Sequence, residues 1–346
     1  MKISTVLLAL LLSTTLLGQG HKSFEFEGPA ILIHGGAGWI LPENMGEERE
    51  ALVEASLTSI VERGYELLDS GAHGMDVVVN ILSLLENDSL FNAGKGAVVN
   101  SKGTAELDAS VMDGQTLKAG AVAGVTTVKN PSILARRVMD STSHVLLIAD
   151  GAEEFATEQG VQRVENSYFL TARRNAQYAR WKAQQKMGTV GVVVLDSAGN
   201  VYAGTSTGGM MYKKYGRVGD VPVIGAGTYA DANGAAVSCT GHGEYFIRNS
   251  VAFQINARIM FGGCTLAGAM HAVLFEVLNQ DAGSGGAIAI DKDGHATWSF
   301  NSPGMFRAAC GVLKGEDEPQ TTVGMYKEPT DAYNEASGCS TPQTQN

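Results

Sequence analysis

The chain has 346 residues, of which 44% are hydrophobic and 18% charged, a composition typical of a soluble globular protein with a substantial core. Its formal net charge of −11 argues against a partner that is bound through clustered Lys and Arg, such as a nucleic-acid backbone.

The first 20 residues have the layout of a secretory signal peptide. Lys2 is followed by an apolar run from Val6 to Leu17, and then by Gly18-Gln19-Gly20. The run is too short to span a membrane, and a buried N-terminal helix is the alternative interpretation. The pattern predicts an exported protein, periplasmic or secreted. A lipoprotein anchor is not expected because no cysteine lies at the cleavage region.

The cysteines indicate neither a disulfide scaffold nor a metal site. Cys239, Cys264, Cys310 and Cys339 are too few for a scaffold in a chain of this length, and none are in Cys-x-x-Cys spacing. The exported compartment permits disulfides, and the pairing stays open.

Alternating and helical patterns place the elements of the first half. In chain order they are a strand at 30–33, helices at 47–68 and 74–86, strands at 106–114 and 119–128, a helix at 132–139 with Ser132 as N-cap, a buried strand at 145–149 and a helix at 151–160.

Residues 161–188 are polar and positively charged, and we expect a mobile linker that buries little and tolerates cleavage. An exposed amphipathic helix is the alternative for its central part.

The second half repeats the mixture of strands and helices. The pattern predicts a hairpin of residues 190–195 and 201–207, strands at 221–225 and 235–239, helices at 246–260 and 266–278, a closing hairpin of 287–290 and 295–300, and a disordered tail at about 327–346. Hairpins occur where a parallel sheet would need crossover helices. We therefore expect one α+β domain with two antiparallel sheets stacked between helices.

The candidate nucleophile is a threonine at the start of the first hairpin of this half. Thr189 follows Gly188 and opens an apolar strand. A threonine hydroxyl needs a base, and cleavage before Thr189 would free an α-amine whose unperturbed pKa of about 7.7–8.0 suits that task. No convincing Ser-His-Asp set or Gly-x-Ser-x-Gly elbow competes with it.

Several motifs in register extend this hypothesis. They are Gly188-Thr189-Val190-Gly191, Thr205-Ser206-Thr207-Gly208-Gly209, Gly216-Arg217-Val218-Gly219-Asp220, Gly225-Ala226-Gly227-Thr228 and Thr240-Gly241-His242-Gly243-Glu244. Together with residues 34–38, 91–96 and 107–114, they closely resemble the plant-type L-asparaginases, or isoaspartyl peptidases, over about residues 28–326. The resemblance implies an N-terminal-nucleophile hydrolase with a four-layer αββα sandwich, cut into an α subunit (21–188) and a β subunit (189–346).

The resemblance also implies catalytic roles. Thr189 matches the nucleophile, which attacks Gly188 once for autocleavage and then the substrate amide. Thr207 matches a hydroxyl that assists it, and Thr240 with the backbone N–H of Gly241 matches the oxyanion hole. Taken alone, Thr207 and Thr240 could equally satisfy hydrogen bonds at strand ends.

For the substrate, the resemblance implies that Arg217 binds the α-carboxylate of an L-aspartyl unit and Asp220 its α-ammonium. Gly243 supports this site through its backbone, and Asn92 lies beside the nucleophile. In isolation, Arg217 and Asp220 could form an ordinary surface ion pair. The role of His242 stays open, as does the preference between asparagine and isoaspartyl peptides.

No cofactor is expected for catalysis. The resemblance implies a structural sodium ion held by the backbone of Leu85, Glu86, Asp88, Phe91, Ala93 and Lys95, with phosphate binding by this loop as the competing interpretation. It also implies a dimer of αβ heterodimers, without a membrane anchor or nucleic-acid partner, acting on small molecules.

Two other functions compete. A glycosylasparaginase has the same fold and similar motifs, but it typically has Asp where this chain has Gly188. A non-catalytic exported amino-acid-binding protein would keep Arg217 and Asp220 and leave the chain intact.

Overall fold

The computed structural model describes residues 20–180, 188–328 and Cys339. Its strands are β1 His21–Gly38, β2 Leu107–Asp113, β3 Ala119–Val125, β4 Leu146–Ile148, β5 Val190–Leu195, β6 Val201–Thr207, β7 Thr228–Ala230, β8 Ala236–Gly241, β9 Gly285–Ile290, β10 His295–Phe300, β11 Gly304–Leu313 and β12 Pro319–Tyr326. Its α-helices are α1 Pro42–Met45, α2 Glu47–Asp69, α3 Gly74–Asn87, α4 Pro131–Ser141, α5 Ala149–Glu158, α6 Ala172–Arg180, α7 Gly243–Arg248, α8 Val251–Met260, α9 Leu266–His271 and α10 Leu278–Gln280, with a π-helical stretch at Ala272–Val277.

Two sheets share the long strand β1. Its first residues, 21–25, pair with β10 in sheet A, whose order is β1-β10-β9-β8-β7. From Phe26 onward, β1 pairs with β5 and β11 in sheet B, whose order is β4-β3-β2-β6-β5-β1-β11-β12. Neighbouring strands are antiparallel except β3 and β4.

Three hydrophobic cores show the layering. On β1, Ile31 and Ile33 pack with helices α2 and α3 in one core. Leu32, between them in sequence, faces Ile288 and Trp298 of sheet A in a second core. The outer face of sheet A packs on helices α8 and α9 in a third core. Because side chains alternate along a strand, these adjacent residues belong to different layers, and the predicted αββα sandwich is confirmed.

Most predicted elements are confirmed, but four details are wrong. The predicted helix at 246–260 is two helices, because α7 ends at Arg248 and Ser250, the N-cap of α8, has a left-handed φ of 46°. Ser132 lies inside α4, whose N-cap is Asn130, and its hydroxyl donates to Glu86 Oε2 over 2.9 Å. Residues 221–225 form turns, with a single bridge between Ile224 and Thr228. The strand β4, expected to be buried, is an edge strand with Ile148 60% exposed.

Strands β11 and β12 were not predicted. β11 pairs with β1 along most of its length and is itself paired with β12. Ala308 and Cys310 of β11 complete the core under α2. The half-exposed, polar sequence of β12 lacks the apolar alternation by which a strand is recognised.

The described part of the predicted linker, residues 161–180, includes a 3₁₀ turn at Asn166–Phe169 and helix α6. Phe169 is fully buried and Arg174 is 6% exposed, so the expectation that this segment buries little is wrong there. The end of that linker, 181–187, lies outside the described residues. So do most of the predicted signal peptide and most of the predicted tail.

A disulfide joins Cys264 to Cys339, the pairing that the sequence left open. Cys239 and Cys310 are buried free thiols. Across the described ranges, no helix is long and apolar enough to cross a membrane.

Candidate active site

Thr189 lies at the meeting point of strand ends from both sheets. It directly precedes β5, whose neighbours in sheet B are β1 and β6. Antiparallel pairing brings the end of β6, with Thr207, beside the start of β5. Thr189 is 6% exposed. The apolar run that follows it forms the centre of sheet B, which gives the threonine a rigid base.

A short hydrogen-bonded chain joins the nucleophile to the peptide bond that would be cut. The Thr189 hydroxyl donates to Thr207 Oγ1 over 3.1 Å, and the Thr207 hydroxyl donates to the Gly188 carbonyl oxygen, also over 3.1 Å. The backbone N–H of Gly209 donates to Thr207 Oγ1 over 2.9 Å. Hydrogen bonds to Thr189, Gly188 and Gly209 therefore orient the Thr207 hydroxyl group, which lies beside Thr189 as predicted.

Asn92 contacts the scissile carbonyl group itself. Its Nδ2 donates to the Gly188 oxygen over 2.6 Å and to the Gly209 oxygen over 2.8 Å, while its Oδ1 accepts from Val98 N–H. The side chain is 3% exposed. In the intact chain, Gly188 thus has two donors on its carbonyl oxygen, Asn92 and Thr207.

His34 holds the backbone of the nucleophile. Its Nδ1 is 3.2 Å from the Thr189 carbonyl oxygen, which can only accept, so Nδ1 carries the proton. Its Nε2 lies 3.1 Å from Ser238 Oγ. Burial lowers the pKa of His34 to about 3, so the ring is neutral at pH 7. His34 is therefore a buried, hydrogen-bonded histidine that positions the backbone at Thr189.

The glycine in Thr189-Val190-Gly191 makes this contact possible. A Cβ on Gly191 would lie 2.0 Å from Ser238 Oγ and 2.2 Å from His34 Nε2. Such distances are far below van der Waals contact, so any side chain at Gly191 would push His34 away from the Thr189 carbonyl.

Thr240 and Gly241 end strand β8 of sheet A above the nucleophile. Gly241 lines the small cavity that contains Thr189, Arg217 and Asp220. The Thr240 hydroxyl oxygen accepts from Ala37 N–H over 3.1 Å, which leaves its proton free to donate elsewhere. Of the two predicted oxyanion-hole residues, Gly241 therefore lines the cavity, and Thr240 precedes it in β8 with its hydroxyl group oriented by Ala37.

Arg217 and Asp220 meet at the same cavity, as predicted. Arg217 forms a bidentate ion pair with Glu244, with Nε and Nη2 donating over 2.9 and 3.0 Å. This pair lowers the pKa of Glu244. The Asp220 side chain is buried, and its Oδ2 has no hydrogen-bond partner among the described residues. Burial raises the pKa of Asp220 to about 7.

Gly243 brings the two charged groups close. A Cβ at Gly243 would lie 2.8 Å from Asp220 Oδ1 and 2.8 Å from Arg217 Nη2. We expect Gly243→Ala to displace these side chains, since the two atoms nearest the new methyl group are side-chain ends and not backbone atoms, and to raise KM by about tenfold or more with little loss of folding stability. Steady-state kinetics and thermal unfolding measure both. Gly151→Ala is the control, because nothing lies within 4 Å of its Cβ position. An unchanged KM in Gly243→Ala would contradict this role.

The loop at residues 85–95 is tightly closed on itself. A Cβ at Gly94 would lie 2.2 Å from the Glu86 carbonyl oxygen, and one at Gly96 would lie 2.0 Å from that of Phe91. The Leu85, Phe91 and Ala93 oxygens accept hydrogen bonds from Asp88 N–H, Arg174 Nη2 and Gly96 N–H. A carbonyl oxygen has two lone pairs, so each of these three keeps one that could bind a hard cation. Within the described ranges, no three His, Cys, Asp or Glu side chains form a metal cluster.

Comparison with known proteins agrees with this geometry. A family model described as asparaginase matches residues 27–320. The chain belongs to the asparaginase family. It is 47% identical to an isoaspartyl peptidase of Salmonella typhimurium, over 86% of this chain and 98% of that protein. It is 46% identical to the isoaspartyl peptidase of Escherichia coli, over 87% and 97%, and 38% identical to an isoaspartyl peptidase/L-asparaginase of Xenopus laevis, over 86% and 95%.

Two charged residues of this asparaginase-family site were not predicted as functional. Glu244 belongs to the motif that contains Gly241 and Gly243, but only the fold shows that it binds Arg217. Lys213, with a side chain only 2% exposed, donates to the Glu106 carbonyl oxygen and lies 3.8 Å from Asp108. Asp108 pairs with Thr207 across β2 and β6, a contact between residues distant in sequence.

His242 is the N-cap residue of α7, and burial lowers its pKa.

Proposed function

We propose that this protein is a self-processing amidohydrolase that hydrolyses β-aspartyl dipeptides and L-asparagine through an acyl group on Thr189, releasing L-aspartate. The observation that carries the proposal is the set of contacts at Thr189. Its hydroxyl is bonded to Thr207 beside the Gly188 carbonyl group, and a carboxylate and a guanidinium share its cavity. The names of the relatives support the same activity.

Self-cleavage uses the contacts of the intact chain. The Thr189 oxygen attacks the Gly188 carbonyl carbon, and its proton leaves toward Thr207. Asn92 and Thr207 then donate to the oxygen as it becomes negative. The C–N bond breaks with transfer of a proton to nitrogen, which converts the peptide to an ester. Water hydrolyses the ester, leaving a carboxylate on Gly188 and a free amine on Thr189.

Substrate hydrolysis repeats the attack with the new amine as base. The amine takes the hydroxyl proton as the Thr189 oxygen adds to the side-chain carbonyl of the aspartyl unit. Thr240 and the Gly241 N–H stabilise the oxyanion. The amine then returns the proton to the departing nitrogen. Water attacks the resulting ester and releases L-aspartate.

The charges of the small cavity select an L-aspartyl unit. The ionised Asp220 would pair with the α-ammonium, and Arg217, positioned by Glu244, would bind the α-carboxylate. In the intact chain this cavity has a volume of about 10 Å³, enough for only about one water molecule. Substrate binding therefore requires that cleavage first open the site.

We further propose that the 85–95 loop holds a structural sodium ion, a role supported by the carbonyl oxygens of Leu85, Phe91 and Ala93, each of which keeps a lone pair. An ion bound only by the folded state raises its stability. A higher Tm in sodium chloride than in choline chloride at equal ionic strength would support this, and equal values would not.

Export and assembly are also proposals. The N-terminal pattern and the Cys264–Cys339 disulfide support an exported protein, periplasmic or secreted. Exposed apolar side chains on β4, such as Ile148, support a dimer of αβ heterodimers. Cell fractionation and light scattering test these two proposals.

The decisive assay compares β-Asp-Leu, L-asparagine and a GlcNAc-asparagine conjugate on fully processed protein. We expect hydrolysis of the first two. A clear preference for the sugar conjugate would instead indicate a glycosylasparaginase. A chain that remains intact after long incubation and hydrolyses none of the three would indicate an amino-acid-binding protein.

A further inference from the structure

A second cavity lies on the other side of the scissile bond. We name it the Arg49 cavity. Its lining includes Trp39, Arg49, Phe91, Asn92, Arg174 and Gly188. Its volume of about 80 Å³ is several times what one water molecule needs. The cavity with Arg217 and Asp220 is also lined by Gly188. The two cavities therefore meet at the bond that self-cleavage breaks.

The Arg49 cavity is strongly positive, although the whole chain carries a net charge of −11. Arg174 donates to the carbonyl oxygens of Gly96 and Phe91, and Arg173 to those of Ser89 and Leu90. These carbonyl groups orient the guanidinium groups without neutralising them. Within the described parts of the chain, neither arginine forms an ion pair with a carboxylate.

Arg49 adds a third guanidinium group to this charge. Its Nε is buried and has no hydrogen-bond acceptor among the described residues. Burial, and then the charge of Arg49, lower the pKa of Arg173 to about 10, against a smaller opposing effect of Asp88. Burial, and then the charges of Arg173 and Arg49, lower the pKa of Arg174. The mutual effect of these guanidinium groups on their pKa values shows that they repel each other, and an anion bound between them would relieve that repulsion.

Apolar side chains line part of the rest, beside the polar Asn44, Asn92 and Gln177. Trp39 is 69% exposed at the rim, and Phe91 and Phe306 form the inner wall. An exposed tryptophan beside a guanidinium suits a ligand that has both a carboxylate and an apolar side chain. An amino acid has these two groups on one carbon atom.

We propose that the Arg49 cavity binds the amino acid that leaves from a β-aspartyl dipeptide, with Arg49 as a specificity-determining residue for its α-carboxylate. This inference rests on the proposed function. With the α-groups of the aspartyl unit on Arg217 and Asp220, and its acyl carbon at Thr189, the leaving amine faces away from them, toward Gly188 and this cavity. L-Asparagine releases only ammonia, which carries no carboxylate to bind.

The difference between these substrates provides the test. Arg49→Met removes the charge and keeps much of the length of the side chain. On processed enzyme, we expect it to lower kcat/KM for β-Asp-Leu by about tenfold or more, as for loss of a charge-assisted hydrogen bond. L-Asparagine and the carboxamide of β-Asp-Leu should change by less than about twofold. The wild type should prefer the dipeptide acid to its amide, and the variant should lose that preference.

Matched variants separate this role from a structural one. Arg49→Lys keeps a positive charge and should retain part of the preference for the acid. Arg63→Met removes an exposed arginine from the same helix, where it pairs with Glu66, and should change nothing. Thermal unfolding checks that each variant is folded.

The other outcomes are equally informative. An equal loss on all three substrates, or no loss on β-Asp-Leu, would overturn the inference. Slower self-cleavage with an unchanged substrate ratio would also overturn it, since the cavity would then serve processing. A wild-type enzyme that hydrolyses none of the three would refute the proposed function itself, and the inference with it.

Discussion

A chain with Thr189→Ala is expected to remain a single polypeptide and to lose hydrolysis of both β-Asp-Leu and L-asparagine by about 10⁴-fold or more. The substitution removes the oxygen that would form both esters. Asn92 and Thr207 would still polarise the Gly188 carbonyl group, but the hydroxyl group that would attack its carbon atom would be absent. Denaturing electrophoresis with N-terminal sequencing measures the first effect, and steady-state kinetics the second.

The side chain of Thr189 is small, so this variant should fold normally and show a Tm close to that of the uncut wild type. Thr189→Ser is the matched control, because it keeps the hydroxyl group and should still be cut. Appearance of a fragment that begins at residue 189 in the Thr189→Ala protein would show that another group, or a contaminating protease, cuts this bond. Residual activity at the wild-type level would refute Thr189 as the nucleophile.

Much of the fold could be predicted because its strands and helices have clear periodicity. Helices α2 and α3 and the β5–β6 hairpin were predicted almost to the residue. The four layers followed from hairpin connections together with the family resemblance. The hydrophobicity pattern gave wrong results where an apolar segment is exposed or a polar segment belongs to a sheet. The edge strand β4 is apolar but exposed, and β12 is polar although it belongs to a sheet.

The residues of the site were predicted from sequence motifs, but the ion pairs and hydrogen bonds between them were not. Thr189, Thr207, Arg217, Asp220 and Gly241 do line one small cavity. The partners that orient them come from distant segments, as when Glu244 binds Arg217 or Asn92 reaches Gly188.

The Arg49 cavity could not be predicted from the sequence, because its residues also come from distant segments. Its lining comes from α2, from the loop after α3 and from α6, which are distant in sequence. In sequence, Arg173 and Arg174 indicated only a basic linker. Their convergence with Arg49 is a property of the fold.

The Asp220→Asn variant should be more stable than the wild type at pH 8 and yet nearly inactive. Burial raises the pKa of Asp220 from 3.8 to about 7 in the folded chain. Between pH 3.8 and about pH 7, Asp220 is therefore protonated in the folded state and ionised in the unfolded state. Stability contributed by this group is fully present below about pH 4, falls as pH rises through this window, and stays low above pH 7.

Asparagine cannot ionise, so this variant avoids the cost of a buried carboxylate. We expect a gain on the order of 2–4 kcal/mol in the free energy of unfolding at pH 8, and almost none at pH 4. Denaturant unfolding should be measured in a Thr189→Ala background, so that both proteins remain the intact chain. A variant that is less stable than its parent at pH 8 would contradict the unpaired, buried carboxylate described here.

Activity should change in the opposite direction, because the ionised Asp220 is the group that would meet the substrate's α-ammonium. In the otherwise wild-type, processed enzyme, kcat/KM for L-asparagine at pH 8 should fall by about 10²-fold or more in Asp220→Asn. Succinamate, which is asparagine without its amino group, provides the control. Both enzymes should hydrolyse it slowly and at similar rates, since neither can use the missing ammonium. An Asp220→Asn enzyme that lost succinamate hydrolysis as strongly as asparagine hydrolysis would show that Asp220 acts on the nucleophile, and not on the substrate's amino group.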